Sequence, residues 1–251
     1  RKKQANENTY PLHLIPRNMS SPLAAFFFLA PIFTLVLQST LARSDPLYHF
    51  CPSPSNYTAT SIFSHNLDVV LQKLAARTPI HGFSTATAGK GPEKIYGLAL
   101  CRGDVAGDDC KACMHNGIAE IRQLCPYQKQ GILWYDNCML RYSDVDFFGY
   151  MDTQTKFYMW NTQDVSQPEL FNDQLGKLMG KLSKEAAERP SFFATSDVKF
   201  GDALKIYGLA QCTRDLSGKA CKYCIDDAIA DIPTCCGGKR GGRVVTGSCS
   251  I

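Results

Sequence analysis

Apolar residues recur at helical spacing in three stretches of the chain. Phe63, Leu67, Val70, Leu71 and Leu74 fall three and four apart, which predicts an amphipathic helix over 61–77. Thr78 and Pro79 are expected to end it, because proline has no N–H for the next helical bond. Leu170, Phe171, Leu175, Leu178, Met179 and Leu182 repeat the pattern, with Pro168 suited to the first turn and Pro190 closing the segment. Cys110, Cys113, Gly117, Ile118, Ile121 and Leu124 line one side of a further helix over 109–124. Strand patterns appear as KIYGLALC (94–101), KIYGLAQC (205–212) and the aromatic-rich ILWYDNCMLRYS (132–143). Helices and strands are segregated rather than alternating, which predicts an α+β fold with an antiparallel sheet.

The first 44 residues follow other rules. Residues 1–18 show no helical or strand period and resemble no targeting segment. They read as an upstream stretch preceding Met19 rather than as a long basic leader. Leu23 to Leu37 is apolar apart from Thr34 and is interrupted by Pro31. A spanning helix needs about 20 residues, so this shorter run fits the core of a secretory signal over 19–44, with Ala42 and Ser44 before the cleavage point.

From residue 45 the chain is a duplication. Cys101, Cys110, Cys113, Cys125 and Cys138 reappear 111 residues later as Cys212, Cys221, Cys224, Cys236 and Cys249. The same offset carries Ile95-Tyr96-Gly97-Leu98 to Ile206-Tyr207-Gly208-Leu209, and Leu67 and Leu71 to Leu178 and Leu182. That period is too long for a solenoid. It sets out two domains, 45–152 and 153–251, each of ordinary size.

Twelve cysteines are an even set. The shared C-x8-C-x2-C unit admits three readings: a zinc site, a redox C-x-x-C, or a structural disulfide framework. Zinc thiolates belong mostly to reducing compartments. A redox thiol needs a depressed pKa, which Asp108 and Asp109 before Cys110 oppose. The export signal favours disulfides. Cys110 and Cys113 share a helical face, so each is expected to reach a different neighbouring strand. Neither a metal nor a cofactor is expected.

Charge alters the picture only by disappearing. The formal charge is +4, but five of the 27 basic residues and one of the 23 acidic ones precede Asp45. The remainder balances, which excludes phosphate-driven nucleic-acid binding.

The tandem unit, with YGLALCRGD, WYDNCMLRYS, YGLAQCTRDLS and IPTCCGGKRGGRV, resembles the plant cysteine-rich repeat secretory proteins and the ectodomains of cysteine-rich receptor-like kinases. Their module is the stress-antifungal, or ginkbilobin-like, domain. The resemblance covers 47–251 and implies a five-stranded antiparallel sheet packed on two helices in each copy. It implies the pairs Cys51–Cys125, Cys101–Cys110 and Cys113–Cys138, then Cys212–Cys221 and Cys224–Cys249. The position 111 residues after Cys51 is Thr162, so Cys236 lacks its expected partner. A vicinal Cys235–Cys236 bond is expected instead, because it leaves no odd thiol.

A mannose-binding relative uses an asparagine after its first cysteine, an arginine between its last two, and a glutamate five residues after the last. The counterparts in the first copy are Pro52, Ile132 and Ser143, which cannot serve. In the second copy only Arg243 matches, as a weak ligand candidate, so mannose binding is not expected there.

His49, His65, His81 and His115 share no motif with a nucleophile or carboxylate and read as surface or packing residues. The run Gly237–Gly242 lacks the phosphate-loop form and reads as a hairpin turn. Trp134, Tyr135, Phe147, Phe148, Phe157 and their neighbours are expected to be core, some of them packing the copies together. Asn56-Tyr57-Thr58 is an N-glycosylation triplet in a polar loop.

The resulting expectation is a secreted, non-enzymatic recognition module in plant stress or defence, located in the apoplast. It would meet an extracellular protein or a cell-wall glycan. The alternative is the ectodomain of a receptor-like serine/threonine kinase at the plasma membrane, with a span and kinase after 251, since family members continue in the strand there and the second domain reads as C-terminally truncated. An antifungal mannose lectin and a thiol oxidoreductase are further alternatives.

Overall fold

The computed structural model describes residues 45–52, 55–201 and 204–251. The signal segment and the upstream stretch lie outside them. The described residues from 45 onward belong to one compact unit.

Each copy contributes a five-stranded antiparallel sheet and two helices. The first copy runs β1 (Tyr48–Phe50), α1 (Ile62–His81), β2 (Phe83–Ala88), β3 (Ile95–Cys101), α2 (Gly107–Leu124), β4 (Gly131–Trp134) and β5 (Cys138–Ser143). The second runs β6 (Lys156–Trp160), α3 (Pro168–Glu188), β7 (Phe193–Phe200), β8 (Leu204–Cys212), α4 (Gly218–Cys235), β9 (Gly242–Thr246) and β10 (Cys249–Ser250). The strand orders match: β1-β4-β5-β3-β2 and β6-β9-β10-β8-β7.

Helix α1 begins where the Ser61 hydroxyl accepts the Ser64 N–H at 3.2 Å. It buries Phe63, Leu67, Val70, Leu71 and Leu74 against the sheet. It does not stop at Thr78 and Pro79 but continues to His81, with Pro79 inside the last turn. The stop is Gly82, whose φ of 72° suits a residue without Cβ and whose N–H bonds the Thr78 carbonyl at 2.7 Å. Proline removes one bond but does not bar a final turn when such a cap follows.

The repeated glycine of the YGLA motif has a packing cause. A Cβ on Gly97 would lie 2.3 Å from Val70, and one on Gly208 would lie 2.6 Å from Leu182. Each helix rests on its strand there, and only glycine leaves room.

The stretch 132–143 is strand, as its pattern predicts, and divides into β4 and β5 at a tight turn. One further expectation needs correcting. The Gly237–Gly242 run is no hairpin turn; it connects α4 to β9 and bridges to the segment before α3 through Asp164 and Lys239.

The pairing also revises the repeat itself. Phe50 faces Ile132, and Met159 faces the counterpart of Ile132, Arg243. At the first strand the offset is therefore 109, not 111. The structural counterpart of Cys51 is Trp160 rather than Thr162.

Candidate functional site

The outer face of each sheet, away from its helices, turns toward the other copy. On the first sheet Leu98, Leu100, Ile132, Trp134 and Met139 form an apolar cluster joined by Phe147 and by Val245 of the second sheet. Phe83, Tyr96, Phe148 and Phe157 pack around it. The Trp134 and Phe157 rings meet edge-on at 5.4 Å. Part of the aromatic stretch thus packs the copies together, whereas Tyr150 and Trp160 stay exposed.

Hydrogen bonds cross the same boundary. Trp134 Nε1–H donates to the Thr246 carbonyl at 3.3 Å. The buried Gln211 side chain donates to the Cys101 carbonyl at 3.1 Å and accepts the Gly103 N–H at 3.3 Å. Arg214 donates to the His81 carbonyl at 2.8 Å, and Asp215 accepts the Gly149 N–H at 2.8 Å. Within the first copy, beside this boundary, Arg141 pairs with Asp152 at 3.1 Å, and its guanidinium lies 4.2 Å from the Phe147 ring centre. Burial holds the Arg141 pKa below the usual arginine value against the pull of Asp152 and Asp215.

Beside this contact opens a cleft of about 680 Å³ lined by both apolar and polar side chains. Arg243 on β9 reaches across to Asp136 in the β4–β5 turn. Arg102 donates to the Asp136 carbonyl at 3.0 Å and to the Asp104 carboxylate at 2.6 Å. The network alternates sign and stays partly solvated, with Arg243 and Asp136 exposing 47% and 58% of their side chains. Gln211 and Tyr207 line the facing wall.

The other candidate residues sit apart. Cys51 bonds Cys125, Cys101 bonds Cys110 and Cys113 bonds Cys138. Cys212 bonds Cys221, Cys224 bonds Cys249, and Cys235 bonds Cys236. The two cysteines of each C-x-x-C thus reach different strands, and no free cysteine is present among the described residues. His49, His65, His81 and His115 are all exposed. Pro52 is exposed, Ile132 is buried in the apolar cluster, and the Ser143 hydroxyl accepts the Val145 N–H at 2.9 Å. Asn56 is exposed beside the Gln128 bridge.

One residue escaped the sequence reading. With the first-strand offset at 109, Asn161 is the counterpart of Pro52. It stands just past β6, two residues beyond Met159, which pairs with Arg243; its N–H donates to the Gly241 carbonyl at 2.8 Å and its side-chain oxygen accepts the Gln163 N–H at 2.8 Å. By residue type the second copy therefore matches the expected sugar site at two positions, Asn161 and Arg243, rather than at one. Only strand pairing could reveal this, because the two-residue shift lies in a stretch without cysteines.

The family described as salt stress response/antifungal matches residues 50–145 and 159–251. An antimicrobial ginkbilobin-2-like protein of Castanea crenata is 51% identical over 208 residues, 83% of this chain and 86% of that protein. Cysteine-rich repeat secretory protein 38 of Arabidopsis thaliana is 43% identical, covering 86% of this chain and 88% of its own length. Cysteine-rich receptor-like protein kinase 25 of the same plant is 35% identical over 93% of this chain but only 36% of the kinase. The tandem DUF26 ectodomain of the Arabidopsis thaliana cysteine-rich receptor-like protein PDLP8 superposes with a TM-score of 0.73 at 24% identity, over 83% of this chain and 96% of that one.

Proposed function

Since the chain belongs to the salt stress response/antifungal family, we propose that it acts outside the cell as a recognition module without enzymatic activity, in plant stress or defence. One observation carries the reading. The second sheet's outer face bears Gln211, Arg243 and Ser250 where the first sheet's bears Leu100, Ile132 and Met139. The first copy spends this face on holding the pair together; in the second, Gln211 and Val245 serve that joint as well, while Arg243 stays partly solvated at the cleft. Secretion is supported by the secretory relatives and by a disulfide set suited to an oxidising compartment.

The ligand class is a cell-wall glycan or an extracellular protein. Asn161 and Arg243 favour the glycan, because an amide and a guanidinium bond sugar hydroxyls without needing a charged partner. A glycan array on the refolded protein tests this. Binding that falls on Arg243→Ala and Asn161→Ala is the expected result; binding indifferent to both places recognition elsewhere, and no binding on glycan or extracellular-protein arrays sinks the reading.

The receptor reading rests on the kinase relative, whose ectodomain-sized part this chain matches. Among the described residues no helix is long and apolar enough to cross a membrane. Coding sequence that continues into an apolar span and a kinase domain would decide for the receptor. Thiol oxidoreduction is opposed by the separate bonding of Cys110 and Cys113, and an insulin-reduction assay should show no turnover.

A further inference from the structure

We infer that Asn56 carries an N-linked oligosaccharide, set at the end of the first domain away from the cleft. The triplet Asn56-Tyr57-Thr58 has the acceptor form, with tyrosine rather than proline in the middle. The structure shows how the fold presents it. Tyr57 is only 7% exposed and packs its ring 5.1 Å from Phe63 in the core. Its N–H donates to the Tyr127 carbonyl at 2.9 Å, and Asn56 bridges Gln128 beside it. The buried ring and the backbone bonds anchor the segment, while Asn56 and Thr58 on either side are exposed. In extended chain, residues two apart point the same way, so the acceptor amide and the threonine hydroxyl both face solvent.

A sugar here displaces nothing. The described contacts of Asn56 and Thr58 are made by the backbone: the bridge to Gln128, and the Thr58 carbonyl accepting from the Ser61 N–H and hydroxyl. Neither residue belongs to the apolar cluster or the hydrogen bonds that join the copies. Gln128 precedes β4, whereas the cleft is bordered by the turn that follows β4. The strand thus separates the glycan from Asp136 and Arg243. The second domain has no equivalent, because its two asparagines, Asn161 and Asn172, head no such triplet. The modification is one-sided: it sheathes the first domain and leaves the second bare.

The donor is a lipid-pyrophosphate-linked oligosaccharide. The Asn56 amide nitrogen forms a bond to C1 of the first sugar and gives up a proton. The bond from C1 to the pyrophosphate oxygen breaks, and the lipid pyrophosphate leaves with the electron pair. No oxidant or reductant takes part.

The test is expression of the full chain through a eukaryotic secretory pathway, followed by intact mass and peptide mapping before and after peptide N-glycosidase treatment. The expected result is the mass of one glycan, lost on treatment, with residue 56 recovered as aspartate. Asn56→Gln and Thr58→Ala should abolish the shift, and Thr58→Ser should retain it. Thiol titration accompanies each variant, so that loss of the glycan is read only on protein with every cysteine oxidised. Secreted, fully oxidised wild-type protein with Asn56 unmodified would overturn the proposal, as would a glycan that survives Asn56→Gln.

Discussion

The two domains tie down their first strand by different means. In the first, Cys51–Cys125 joins the strand to the end of α2 across 74 residues of sequence. In the second, Trp160 stands where Cys51 would be, and the tie is a zipper of weak bonds. Lys239 pairs with Asp164 at 2.6 Å, Arg240 donates to the Gln163 side chain at 2.9 Å, and Val165 and Asn161 donate to the Gly238 and Gly241 carbonyls. The basic glycine-rich run so conspicuous in the sequence is therefore a fastening. The difference teaches that one covalent bond can be replaced by several backbone and side-chain bonds on the same fold, with the spare Cys236 turned to its neighbour Cys235.

Breaking the covalent tie should cost most. Cys51→Ser with Cys125→Ser opens a long loop, and the expected loss is about 4 kcal/mol by chemical denaturation. A loss under about 1 kcal/mol would mean that the backbone pairing of β1 already suffices. Next comes the contact between the domains. Trp134→Ala removes a buried indole and its bond to Thr246, at a cost of about 3 kcal/mol, and should split a single unfolding transition into two. The comparison can also be sharpened by conversion. Trp160→Cys with Cys235→Ser offers Cys236 the partner that the first domain has, since a Cβ on Gly242 would meet Cys236 Sγ at 2.8 Å and Gly242 faces Trp160. A new bond, seen by peptide mapping, should raise stability by about 2 kcal/mol.

Smaller effects follow. Lys239→Ala removes one pair of the zipper whose carboxylate is 74% exposed, so about 0.5 kcal/mol is expected, and less at high salt. The smallest concerns acid. Burial works against the charge on Asp226, but hydrogen bonds from Lys222 and Ser183 outweigh it and hold the pKa below the usual carboxylate value. The stabilisation it brings is present above that usual value and is lost as pH falls through the lower folded value. Asp226→Asn should therefore differ from wild type near neutral pH and converge with it in strong acid, as read by thermal unfolding.

The long helices and the strands β3 and β8 were legible because their patterns are strong and the cysteine repeat aligns them. β2 and β7 were not, since FSTATA and FATSDVKF carry small and polar residues in place of a clear alternation. β1 and β6 are short edge strands, and the shift between them lies where no cysteine marks the register. Arg243 was legible as a candidate, but its partner Asp136 was not, nor were Gln211 and Asn161. The Gln211 and Trp134 bonds join residues 108 to 112 apart, nearly one full repeat, and no local pattern announces such a pair.

The Gln211 side chain has one further consequence. By holding Cys101 and Gly103 at once, it fastens one sheet to the other at two points, and the Phe193 ring fills the space beside Gly103. The tandem is a caliper with fixed jaws rather than two beads on a string. A partner that touched both domains would meet two surfaces already set at one spacing.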